Sequence, residues 1–457
     1  MSRRERAPLT PATLFSQERL WQSWLDVEAA LALTQGEMGI IPQDAAERIA
    51  ANADLGCLDL DALKREIAET KAPVFALVRV LAEACGEAGG FVHWGATTQN
   101  IMQTGRSLLL RQAHRALLAN VAAALDGLAA LANSHAATPM AGRTNRRHAL
   151  PISFGYKVAG WIEELLRVEA RFSDAETRVF SLSFGGAVGP MHSFGAEGVK
   201  LTGILAKRLG LTDTLAHNRV SCDTAIEYVV QLSLFGMTVG RIADEIYLLM
   251  SEEMDEIAER QGAGVVGSST MPHKVNPKLV VAVCAKASLL CSKAAAALQA
   301  GRPSHEGDAV SNRLLSMVLD EACPLAWELS GEFAELVTGI EVRAESMRAN
   351  LARSGAAIAS ENLMMKLAER IGRQRAHDVL HHAIAEATAK GESIRSHLHA
   401  DAEIAAVFDA PTIDSLLAPE AYMGRSRDIA IEAATRGRQS AARLRDRLRD
   451  RLDRVSA

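Results

Sequence analysis

The residues best suited to chemistry are crowded into residues 267–277, which read Gly-Ser-Ser-Thr-Met-Pro-His-Lys-Val-Asn-Pro. Two adjacent hydroxyls (Ser268, Ser269), a cation (Lys274) and an amide (Asn276) lie between residues that restrict the backbone, since each proline removes an N–H donor and fixes φ. Gly262, Gly264 and Gly267 permit conformations that side chains forbid. A segment mobile at one end and stiff at the other suits a loop that closes over a ligand. Two further polar stretches interrupt apolar sequence. Residues 91–100 contain His93, Thr97, Thr98, Gln99 and Asn100, and residues 142–150 contain Arg143, Thr144, Asn145, Arg146, Arg147 and His148.

The elements that must position these residues are helices. Apolar residues recur at three- and four-residue intervals from 16 to 36 (Leu20, Trp21, Trp24, Leu25, Val27, Leu31), and helices are predicted at 43–52 and 72–88. Longer runs follow at 107–135 and at 151–180, where Pro151 would occupy a first-turn position. The pattern at 223–260 predicts one helix on the order of 50 Å long. Helices at 279–300 and 312–339 complete a set of long elements joined by short polar turns, which describes a bundle; Pro324 should kink the latter. Shorter helices follow from residue 342, and residues 436–454 form a charged helix in which Asp446, Asp450 and Asp453 interrupt the arginines, as on a solvated face. The expected division is an N-terminal helical domain (1–104), a central bundle (105–341) and a C-terminal helical domain (342–457).

Composition narrows the class. The chain has 457 residues, 48% of them hydrophobic and only 4% aromatic, with a formal net charge of −5. That size supports a large core, and the near balance of charge gives no sign of a nucleic-acid or membrane surface. Six scattered cysteines without metal-type spacing read as small buried residues in a reducing compartment, so a cytoplasmic protein is expected. No apolar run with a cleavage site follows the basic N-terminus.

Residues 267–277 resemble the signature of the fumarase/aspartase superfamily. The resemblance extends to residues 24–32, the His93-Trp94-Gly95 segment, Gly142-Arg143-Thr144, the glycine turn 184–189 and Tyr422-Met423-Gly424. The glycine turn and the Trp-Gly-Ala segment look most like the adenylosuccinate lyase and 3-carboxy-cis,cis-muconate cycloisomerase branch. The resemblance implies an all-α chain of three helical domains whose central bundle forms a homotetramer, with active sites shared among subunits. It also implies removal of a proton beside a carboxylate through an aci-carboxylate, and loss of a group from the next carbon.

On that resemblance Ser268 is the base, Ser269 and Lys274 support it, and the substrate is a small dicarboxylate-type anion. Lys274, Asn276 and free N–H groups of a helix beginning at Pro277 would stabilise the developing charge. Thr97, Thr98, Gln99 and Thr144 would supply neutral donors to the other carboxylate, with Asn100, Met271, His93, Arg143 and Arg302 as further contacts. The family's usual histidine after the Arg-Thr pair is replaced by Asn145, and a second by Ala72. His148 is therefore the expected acid or leaving-group contact. These departures argue against adenylosuccinate and for a smaller substituted succinate cleaved to fumarate, most readily at a C–N bond. A muconate-type cycloisomerase and a catalytically silent scaffold are the alternatives, and neither metal nor cofactor is expected.

Overall fold

The computed structural model describes residues 9–260, 270–271 and 273–453. The chain is 73% helical. The N-terminal region holds α1 (Gln17–Glu37), α2 (Gln43–Asn52), α3 (Leu60–Thr70) and α4 (Pro73–Cys85). Ser16 caps α1 by accepting from the Arg19 N–H, and Asp59 caps α3 through the N–H groups of Asp61 and Ala62.

The long elements are α5 (Thr98–Ser134), α6 (Phe154–Val179), α7 (Asp223–Leu249), α8 (Leu279–Gln299) and α9 (Ala309–Thr338). A last helix, α10 (Ser426–Asp453), returns from the C-terminal region to lie against α5 and α6. Apolar residues from all these helices form one continuous core that includes Leu125, Phe172, Phe235, Val283, Phe333 and Ala441. Leu363, Leu380, Leu398 and Ile413 belong to a separate, smaller cluster.

Two short antiparallel strand pairs, one a hairpin and one joining distant segments, add to the helical reading. β1 (Pro139–Thr144) pairs with β2 (Arg147–Ser153), and β3 (Ile257–Glu259) pairs with β4 (Ile340–Val342). Pro151 therefore lies in β2 rather than in a helical first turn. It faces Ala141 where the register shifts, a place where a residue without an N–H costs no ladder bond; α6 starts later, capped by Ser153. The helix expected over 223–260 stops at Leu249, because the chain reverses through Asp255 (φ +52°) and Ile257 is buried as a strand residue instead. Pro324 lies inside α9, which continues through it to Thr338.

By length and hydropathy α5 and α8 could each cross a bilayer. In the fold both are bundle helices. Lys286 and Lys293 of α8 are ion-paired with Glu328, Glu332 and Glu321 of α9. Much of the apolar surface of α8 nevertheless remains uncovered, as at Val281 and Leu289, and Met237 of α7 is likewise exposed.

Candidate functional site

Gly95 adopts a left-handed φ of +72°, where a Cβ would come within 2.3 Å of the Phe194 ring, and the chain turns there into the start of α5. Thr97 is the N-cap in extended conformation, yet its side chain makes no capping bond. Its hydroxyl, that of Thr98 and the N–H groups of a helix first turn are the kinds of donor that can hold an anion. A cavity of about 710 Å³ adjoins them, lined by Thr97, Thr98, Gln99, Ser183, Arg219 and Asn312 among others.

Gln99 and Asn100 hold this wall in place. The Gln99 Oε1 accepts from Arg219 Nε at 2.9 Å and Nη2 at 2.5 Å, while its Nε2 donates to the Arg219 carbonyl at 3.1 Å. Arg219 also donates to the carbonyl of Ala187. Asn100 is fully buried and accepts from the Gly186 N–H at 2.9 Å, so it pins the glycine turn to α5. That turn has no room for side chains: a Cβ on Gly185 would lie 2.4 Å from the Gly189 carbonyl oxygen and 2.5 Å from that of His217. Close by in sequence, His93 (φ +62°) bonds through Nδ1 to the buried carboxylate of Glu28 at 2.5 Å.

The second predicted stretch is the β1–β2 hairpin. Asn145 and Arg146 form its tip with φ of +48° and +62°, the sign pattern of a type I′ turn, and Thr144 beside them is exposed. Arg143 makes a two-pronged pair with Glu256, 3.0 and 2.6 Å long, and Asn350 donates to the same carboxylate at 2.9 Å. Glu256 has no solvent exposure, so this guanidinium compensates a buried charge. His148 Nδ1 bonds to Ser354 Oγ at 2.6 Å. Burial lowers its pKa below the ordinary histidine value, and the Arg143 charge lowers it further against the opposing pull of Glu256.

The two stretches are far apart within one chain. Thr97 precedes α5 and the hairpin follows it, and 37 helical residues span about 55 Å. Of the signature, Ser268 and Ser269 lie outside the described residues. Lys274 is exposed, with its backbone N–H bonded to the Met271 carbonyl at 2.9 Å; Met271 and Asn276 each have partners within the chain. The helix expected from Pro277 begins at Leu279, and its N–H groups are not free. Glu259 accepts from Lys278, Leu279 and Val280 at 2.9, 3.2 and 2.6 Å. Arg302 is exposed just beyond α8.

Sequence reasoning missed Arg219, Asn312 and Arg313. Arg219 sits in an irregular segment and the other two near the start of α9, so only the fold brings them to α5. Among the described residues no group of three His, Cys, Asp or Glu side chains is arranged to hold a metal ion.

Residues 11–289 match the family described as lyase, and residues 356–433 match the adenylosuccinate lyase C-terminus. An N-acetyl-S-(2-succino)cysteine lyase of Dickeya dadantii is 32% identical over 91% of this chain and 92% of its own. An adenylosuccinate lyase of Methanothermobacter thermautotrophicus is 34% identical, covering 91% and 93%. The crystal structure of a 3-carboxy-cis,cis-muconate lactonizing enzyme from Pseudomonas putida superimposes with a TM-score of 0.87 at 31% identity, covering 94% of this chain and 97% of that one.

Proposed function

The chain belongs to the lyase family of the fumarase/aspartase superfamily, and on that premise we propose that it eliminates a leaving group from a substituted succinate to release fumarate. The observation that carries this reading is the N-terminus of α5, where Thr97 makes no side-chain cap and Thr97 and Thr98 both line a cavity sized for more than a four-carbon acid. One succinyl carboxylate binds there. Ser268 then removes the proton beside the other carboxylate, and the electron pair is held as an aci-carboxylate near Lys274 and Asn276. Collapse of that pair forms the double bond and breaks the bond to the neighbouring group, which leaves as a thiolate or takes a proton from His148 to leave as an amine.

Burial and then the Arg143 charge disfavour protonation of His148 in the isolated chain. A dianionic substrate placed beside it offsets the Arg143 charge and raises its pKa toward the range of an effective acid. Since about 55 Å of α5 separates His148 from Thr97, the two act together only when another copy supplies the hairpin. The uncovered apolar faces of α7 and α8 supply a surface for that assembly. A tetramer with shared sites is the arrangement proposed.

The test is fumarate formation from succinyl amines and succinyl thioethers, followed by its ultraviolet absorbance, with Ser268→Ala beside the native chain. Loss of at least about 1,000-fold in kcat is expected for the variant. Full activity of Ser268→Ala would sink the assignment of the base. The likeness to the lactonizing enzyme favours a second reading, intramolecular addition on a carboxymuconate; turnover of that compound without fumarate would establish it.

A further inference from the structure

Three guanidinium groups and one carboxylate line the cavity at the start of α5: Arg106, Arg219, Arg313 and Asp320. Arg106 is ion-paired with Asp320. Arg219 donates to neutral acceptors, the Gln99 side chain and the Ala187 carbonyl, so its charge is oriented but not neutralised. Arg313 is exposed beside Asn312 and makes no hydrogen bond or ion pair among the described residues. The cavity thus carries two positive charges more than it has acids to balance them. This excess is separate from Lys274 of the signature and from Arg143, which is held by Glu256.

One succinyl carboxylate is served by the neutral donors of Thr97, Thr98 and the α5 N-terminus, and the other by the signature loop. Neither needs Arg313. The cavity also has apolar walls, including Leu20, Trp24, Met102 and Leu315, so it has room for a leaving group with a carbon skeleton of its own. We propose that Arg313, with Arg219 in the lining of the same cavity, recognises a carboxylate on the leaving-group half of the substrate. On this view, which rests on the elimination reading above, the substrate carries three carboxylates: two on the succinyl unit and one on the departing thiol or amine. A planar guanidinium with one amide beside it matches one carboxylate in a two-pronged contact, whereas a phosphate dianion calls for more donors.

The experiment compares two synthetic probes with the full-length protein, S-(2-succinyl)-3-mercaptopropionate and its carboxamide, which differ only in charge on the thiol half. Binding is read by calorimetry and elimination by fumarate absorbance, for the native chain, Arg313→Gln and Arg313→Lys. The native chain should bind the carboxylate probe at least tenfold more tightly than the amide. Arg313→Gln should bring the carboxylate probe to the level of the amide and leave amide affinity unchanged, and Arg313→Lys should retain part of the preference. Equal binding of both probes by the native chain, no binding of either, or a preference that survives Arg313→Gln, overturns the proposal. The two readings fail separately: a charge preference in binding with no fumarate from either probe condemns the elimination and keeps the anion site. Equal elimination of both probes keeps the reaction and removes the site.

Discussion

Two helix N-termini in this chain were equally good candidates for holding a carboxylate, and the fold treats them differently. At α5 the N-cap Thr97 leaves its hydroxyl unused and the first turn opens onto a cavity. At α8 the N–H groups of Lys278, Leu279 and Val280 already hold the carboxylate of Glu259. The positive end of a helix attracts an anion wherever it lies, so the dipole alone does not mark a substrate site. The deciding fact is whether the chain supplies its own anion. An internal carboxylate makes the terminus a joint that ties β3 to α8, whereas the α5 terminus, which no side chain caps, lines a cavity.

Replacing both Thr97 by Val and Thr98 by Ala removes two hydroxyls while leaving the shape of the turn. Each hydrogen bond to a carboxylate contributes about 1.5–3 kcal/mol, so kcat/KM should fall by about 100-fold or more. The unfolding midpoint should hardly move, since Thr97 caps nothing. A large loss of stability with intact turnover would reverse the contrast drawn here. Glu259→Ala should do the opposite, lowering stability by about 1–2 kcal/mol as three N–H groups lose their acceptor. Sulfate should restore part of the midpoint in thermal melts, because the emptied terminus becomes an anion site.

A smaller effect is expected at the hairpin tip. Arg146 has φ of +62° and Asn145 φ of +48°. Arg146→Gly gives the Asn-Gly pair that such turns favour, and should stabilise the chain by about 0.5–1 kcal/mol in denaturant titrations. The smallest is the pH response of His148. Its pKa is below the ordinary value, so the unfolded chain binds its proton first as the solution is acidified. Its contribution is complete above pH ~6.5 and is lost as pH falls toward the folded-state value. His148→Gln should therefore flatten the decline of stability between neutral and mildly acidic pH. His135, also depressed by burial, should keep a residual slope.

The helical architecture was legible because three- and four-residue spacing of apolar side chains reports burial directly. The boundaries of α2 match the sequence reading residue for residue, and those of α1 fall within one residue of it. The hairpin at Arg143 to His148 was not legible. Its strands lack alternating β-branched residues, and its turn carries Arg146 where glycine would have announced it. The periodicity that ran on past Leu249 was misleading because Ile257 is buried in a strand, and burial alone does not distinguish the two elements. The polar segment at Thr97 was recognisable as a place of interest, but Arg219, Arg313 and Glu259 were not. Arg219 and Glu259 act on partners distant in the chain and Arg313 meets the cavity only through the fold, and local sequence carries no record of such juxtaposition.

The length of α5 also has a genetic meaning. If Thr97 of one copy must work with His148 of another, damage at the two ends of this helix is not equivalent to damage at two positions in one pocket. Two inactive chains, one defective at Thr97 and one at His148, would assemble into particles in which some sites draw only intact halves. A cell carrying both alleles would then recover a fraction of the activity that neither allele provides alone.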